Sequence, residues 1–201
     1  MKNSMLTRAL VGSSLVCMFQ PAMAQDLNYD YVEVIYASAS IDYGGTSDLD
    51  GNGVGVVASG SISPNLAIGA GYSGVSYDRL MGVDLDTSSL TFGLLGHTAV
   101  APKTDVYGSF SVLRAEIEVS NGFASASDDD VGNTISVGLR HLASDAVELE
   151  ISLARVDVFD ESETGFGVEA RFFATEKLAI GVGYSQGDDA DAILLSARIG
   201  L

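Results

Sequence analysis

From Tyr29 onward, apolar residues occupy alternate positions over runs of about nine to eleven residues, with small or polar residues between them. The clearest runs set Leu66, Ile68, Ala70 and Tyr72 against Ala67, Gly69, Gly71 and Ser73, and Leu178, Ile180, Val182 and Tyr184 against Ala179, Gly181, Gly183 and Ser185. A period of two places each set on one face of a β-strand. The same phase recurs in Val54, Val56, Ala58, Ile62; in Leu90, Phe92, Leu94; in Val106, Phe110, Val112; and in Ile135, Val137, Leu139. It continues in Val147, Leu149, Ile151, Leu153; in Phe166, Val168, Phe172; and in Ile193, Leu195, Ala197, Ile199, Leu201. Val32, Val34 and Tyr36 open the series, although Ile35 falls on the opposite face. Runs of this length suit tilted strands that cross hydrocarbon with the greasy face toward lipid.

The connections alternate in kind. Ser63-Pro64-Asn65, Ala101 to Thr104, Ala143-Ser144-Asp145 and Ala174 to Lys177 read as tight turns, whereas Gly44 to Asn52, Arg79 to Asp84, Asn121 to Asp130, Phe159 to Thr164 and Gln186 to Ala190 read as longer loops. Alternation of this kind predicts an all-β fold: an up-and-down antiparallel transmembrane β-barrel of about ten strands, with eight as the alternative. Both mature lysines, Lys103 and Lys177, fall in short turns, while Asp48, Asp50, Asp84, Asp128 to Asp130, Asp160, Glu161, Glu163, Asp188 and Asp189 fall in long connections. One segment breaks phase. Beyond Val112 the outward positions become Arg114, Glu116 and Glu118, and Leu113, Ala115, Ile117 and Val119 turn inward, which predicts a bulge or a strand running on into solvent.

The first 24 residues stand apart. Lys2 and Arg8 flank the start, Ala9 to Phe19 form an apolar run too short for a membrane helix, and Pro21-Ala22-Met23-Ala24 ends in a small-x-small pattern. We read residues 1–24 as a cleaved signal peptide and residues 25–201 as the barrel. Cys17 leaves with the signal, so the mature chain has no cysteine and forms its core without disulfides. Loss of Lys2 and Arg8 takes the net charge from −17 to −19, which argues against nucleic acid as a partner.

With the greasy face on lipid, the inward set contains Glu33, Glu148, Glu150 and Glu169 against Arg140, Arg171 and Arg198. Ion pairing is available in either register of the hairpin around Ser144, which sets Arg140 opposite Glu148 or Glu150. Arg171 comes within reach of Glu150 in one register, and Arg198 meets Glu33 where the last strand closes on the first. Buried charges persist when paired and hydrogen-bonded, so these seven residues predict an ionic network filling a narrow lumen. A gated or ion-selective path along the same groups is the alternative.

Other chemistry is sparse. The histidines, His97 and His141, lie near the short-turn rim, the wrong end for a surface protease of omptin type, and no enzymatic activity or cofactor is expected. Asp48-Leu49-Asp50-Gly51-Asn52-Gly53 matches the opening of a calcium loop, but Ser59 stands where the bidentate glutamate belongs, and a strand turn has the same composition. Tyr43, Tyr72, Tyr77 and Tyr184 near the long-loop ends, and Tyr29, Phe172 and Phe173 near the short-turn ends, suit two interfacial girdles.

The segments Ser63-Pro64-Asn65-Leu66-Ala67-Ile68-Gly69-Ala70-Gly71-Tyr72 and Ala170 to Tyr184, a short turn followed by LxIGxGY, resemble the hairpins of the small Gram-negative outer-membrane β-barrel proteins of the porin-like family. The resemblance covers the mature chain and implies an outer-membrane location. It also implies outer-membrane lipid and lipopolysaccharide as surroundings, with divalent cations at the acidic loops and the insertion machinery as partners. Family members commonly end in an aromatic ring, whereas this chain ends Ile199-Gly200-Leu201. The expected role is structural or surface interaction; the alternatives are a narrow channel for ions or small solutes and a soluble periplasmic barrel.

Overall fold

The computed structural model describes residue 27 and residues 29–42, 48–80 and 82–201. The signal segment, Tyr43 and residues 44–47 of the first long connection lie outside the described residues. Ten antiparallel strands form a closed barrel in sequence order: β1 (Tyr31–Asp42), β2 (Asp48–Ser63), β3 (Leu66–Leu80), β4 (Val83–Ala101), β5 (Thr104–Ser120), β6 (Ser125–Ser144), β7 (Val147–Val158), β8 (Glu161–Phe173), β9 (Leu178–Gln186) and β10 (Ala190–Gly200). Each strand pairs with its sequence neighbour, and β10 closes onto β1 from Tyr31 opposite Gly200 to Ile41 opposite Ala190.

The alternation sorts side chains as a lipid-facing barrel requires. Val34, Val56, Tyr72, Phe92, Phe110, Val137, Ile151 and Leu195 point outward from their strands and are exposed, and Ile180 is 56% exposed. Ala67, Ala179 and Ser73 from the opposite set are buried inside. Among the described residues nothing covers these outward apolar positions, which is the surface a barrel presents to acyl chains.

Three of the segments read as long loops are in fact mostly strand among the described residues. Asp48 to Asn52 pair with β1, Ser125 to Asp130 pair with β5, and Glu161 to Thr164 pair with β7, so the strands run on through much of these connections, and β5–β6 and β7–β8 close as hairpins with tight tips. Phe159 and Asp160 both adopt left-handed backbone (φ 54° and 58°), the geometry of a two-residue hairpin turn that lets β7 and β8 run up to it. Because Asp48 to Asn52 are extended and paired, they do not form a calcium loop.

The cause is a second inversion of polarity. Toward the long-hairpin end, Ile41, Leu49, Tyr77, Leu85, Ile117, Val158 and Ala190 point inward and join one buried apolar cluster with Ile35, Val75, Leu113, Val156 and Leu194. Their outward neighbours there are Asp86, Glu116, Glu118 and Asp129. β1, β3, β4, β5 and β7 are thus apolar outward within the lipid band and apolar inward beyond it, whereas β6 and β8 bring Asp128, Asp130 and Glu163 to the inner side there. β5 passes through this switch without a bulge, in unbroken register with both β4 and β6 from Val112 to Ser120.

Three residues assigned to the aromatic girdles are instead internal: Tyr29, Tyr77 and Phe173 are buried. Tyr77 joins the apolar cluster, Phe173 packs with Leu142 and Ala179, and Leu27 contacts both groups. Tyr72 and Phe172 do face outward.

Candidate functional site in the barrel interior

The short-turn half of the lumen holds the seven charged residues expected to face inward, and it brings them together. Arg140 on β6 stands opposite Glu150 in register, yet its guanidinium reaches diagonally to Glu148, with Nη2 at 3.0 and 2.9 Å from the two carboxylate oxygens and Nε at 3.3 Å. The register is set at the turn, where pairing shifts between Leu142 and Ser144. On β8, Arg171 stands opposite Glu148 and is the hub. Its Nη1 donates to Glu148 (2.5 Å) and Glu150 (3.0 Å), its Nη2 donates to Glu169 (2.5 Å), and Glu33 lies 3.9 Å from Nε. Arg198 on β10 faces Glu33 on β1 and donates to it at 2.7 Å.

Four carboxylates against three guanidinium groups leave one negative charge over, and hydroxyl donors meet it. Tyr107 donates to Glu150 at 2.6 Å and Ser196 donates to Glu169 at 3.0 Å. Arg198 also lies over the Tyr31 ring at 4.2 Å, and Arg140 over Tyr29 at 5.1 Å. A guanidinium is planar and more weakly hydrated than an ammonium, so it can be stacked and bonded in this way while fully buried. Arg140 and Glu148 are both 0% exposed.

Two glycines make the room. A methyl group at Gly181 would collide with Glu169 Oε1 and Ser196 Oγ, and one at Gly138 would enter the Tyr107 ring. The inward glycine of the LxIGxGY hairpin therefore serves the packing of its neighbours' charged side chains.

Below the network, the segment preceding β1 enters the lumen. Tyr29 stacks on His97 with ring centroids 3.5 Å apart and donates to Asp105 at 3.1 Å, and His97 Nδ1 lies 3.3 Å from the same carboxylate oxygen. This insertion was not anticipated from the sequence, and the apolar upper half was read only on β5, where Leu113, Ala115, Ile117 and Val119 turn inward. The signal for the upper half was the inward set Ile35, Ile41, Leu49 and Tyr77, masked by the Asp- and Gly-rich residues between them. His141 sits at the same end, its Nδ1 2.9 Å from Thr104 Oγ1.

Among solved structures the chain is similar to the transport unit of the autotransporter AIDA-I from Escherichia coli: 12% identity, 98% of this chain and 96% of that one covered, TM-score 0.65. It is also similar to the translocator domain of the autotransporter NalP from Neisseria meningitidis: 10% identity, 100% and 96% covered, TM-score 0.54. Neisserial surface protein A is 13% identical over 85% of this chain and 96% of that one, with a TM-score of 0.48. At such identities the likeness is one of fold. No curated protein sequence matches. Residues 9–193 match the family described as outer membrane protein beta-barrel domain, and the chain belongs to that family.

Proposed function

We propose that this chain is exported with removal of residues 1–24, is inserted in the outer membrane, and serves there as a closed scaffold that presents acidic hairpins at the cell surface. The observation that carries this reading is that the lumen is filled in both halves, by the Arg140–Glu148–Arg171–Glu169 network at one end and by apolar side chains at the other. An ion would have to break buried salt bridges and then pass a largely apolar layer, and each step is costly. Short turns face the periplasm and longer hairpins the exterior in barrels of this kind, which puts Asp86, Glu116, Glu118 and Asp128 to Asp130 outside. There they would lie among lipopolysaccharide headgroups, with divalent cations as counter-ions.

Planar-bilayer recording on residues 25–201 tests the reading. A closed scaffold gives no steady openings. Steady openings that change when Arg140 or Glu150 is neutralised would establish instead a narrow channel for ions or small solutes.

A further inference from the structure

At the long-hairpin end, β6 outruns its neighbour on one side. It pairs with β5 along its whole outer length, from Ser125 opposite Ser120 to Asn133 opposite Val112. Its pairing with β7 begins only at Asn133 opposite Asp157, because β7 turns back at Phe159 and Asp160. The Phe159 N–H donates to the Asp130 carboxylate at 2.6 Å and closes the lower end of the step. Above it, Ser125 to Asp129 present a main-chain edge that no described strand covers.

An uncovered edge offers alternate N–H and C=O groups to any chain that can extend beside it. The side chains around this edge decide which chains those are. Asp128 and Asp129 lie on it, Glu116 stands opposite Asp129 on β5, and Glu118 faces Asp86 on β4. Arg114, 3.1 Å from Asp129, offsets one of these charges. Two copies of the edge would repel each other, so self-pairing is disfavoured, and an acidic partner is excluded for the same reason. Next to the edge, the Asn121 side chain accepts from the N–H groups of Phe123 and Ala124 at 3.0 Å each, and this turn holds the Phe123 ring fully exposed.

We propose that the β6 edge, Ser125 to Asp129, captures a cationic extended segment of another protein by strand addition. Backbone hydrogen bonds supply the attachment, and Glu116 and Glu118, on the outward face that Ser127 and Asp129 share, select lysine or arginine on the matching face of the added strand. The proposal rests on the reading that this end faces the cell exterior, where a foreign or secreted chain can reach it.

The test uses residues 25–201 folded in detergent micelles, with folding checked by heat-modifiable gel migration, and a fluorescent Lys-Val-Lys-Val-Lys-Val-Lys peptide as the probe. Two further peptides carry N-methyl groups on alternate amides, one in each phase, so that charge is unchanged while one edge loses its donors. Strand addition predicts saturable binding of the parent peptide, weakened about tenfold or more in one methylated phase, since several hydrogen bonds are lost together. It predicts comparable weakening in the Glu116→Gln/Glu118→Gln variant. Equal binding of both methylated peptides would show charge attraction alone and overturn the proposal, as would absence of parent binding up to ~1 mM. Conductance measured on the same preparation separates the two readings. Steady openings would defeat the closed scaffold whatever the peptides do, whereas a silent barrel that ignores the peptides defeats only strand addition.

Discussion

Glu33 and Arg198, 165 residues apart in sequence, face each other across the seam where the first strand meets the last, with 2.7 Å between carboxylate and guanidinium. Barrel closure and ionic pairing are therefore one event. Glu33→Leu should strand a buried cation and cost about 3–5 kcal/mol, whereas Glu33→Leu with Arg198→Met should recover most of that loss. Unfolding in urea followed by gel migration measures both. Equal losses in the single and double variants would show that the pair does not couple.

The space left at Gly181 makes a second, steric prediction. Gly181→Val drives a side chain into Glu169 and Ser196 and should destabilise by about 1–3 kcal/mol. Gly60→Ala is the control, because a methyl there meets only Asp30 Oδ1 at 3.9 Å. The same unfolding assay should separate the two by a clear shift in midpoint.

Which solvent each outward face meets can be read with arginine. Ile180→Arg puts a cation in the lipid band and should cost about 2–4 kcal/mol near the midplane. Glu118→Arg, above the band and in register with Asp86, replaces a like-charge opposition by an attractive one and should cost nothing measurable. Folding equilibria in lipid vesicles give both values, and a costly Glu118→Arg would place that residue in hydrocarbon.

Glu163, beyond the lipid band, accepts the Asp188 N–H at 2.9 Å. Burial, joined by the neighbouring charges of Asp188 and Asp189, raises its pKa from 4.5 to about 7. The folded state thus holds a proton that the unfolded chain gives up near pH 4.5, so the stability from this group is full below that value and is lost as pH rises to about 7. Melting temperatures taken from pH 4 to pH 8 should fall more in the native sequence than in Glu163→Gln, which keeps an acceptor but has no charge. Parallel curves would remove the assignment.

The lipid-facing set was legible because Leu66 to Tyr72 and Leu178 to Tyr184 carry one property on each face, and period two needs no tertiary information. The inward charges were legible by the same phase, since Glu148, Glu150, Arg140 and Arg171 all fall on the face opposite the greasy one. Their partners were legible in part: Arg171 with Glu150 and Arg198 with Glu33 follow from strand order, but the choice between Glu148 and Glu150 for Arg140 does not. Arg140 stands opposite Glu150 but binds Glu148, a choice made by side-chain reach across the lumen rather than by strand register. The upper core was hidden for a different reason: where solvent replaces lipid outside, the apolar phase shifts to the inner face. Asp48 to Asn52 and Ser125 to Asp130 then look like loops, although they are paired strand. Tyr29 and Phe173 were misplaced because an aromatic near a strand end has the same sequence signature in a girdle and in a plug.

The polarity switch along β5 also bears on how such a molecule is made. If the long hairpins finish outside, then Glu116, Glu118 and Asp128 to Asp130 have to travel through hydrocarbon before they arrive, and every ionised carboxylate heightens that barrier. Unassisted insertion into vesicles should accordingly quicken in acid, when these groups can cross as neutral species. At neutral pH the crossing calls for a catalyst that thins or opens the bilayer.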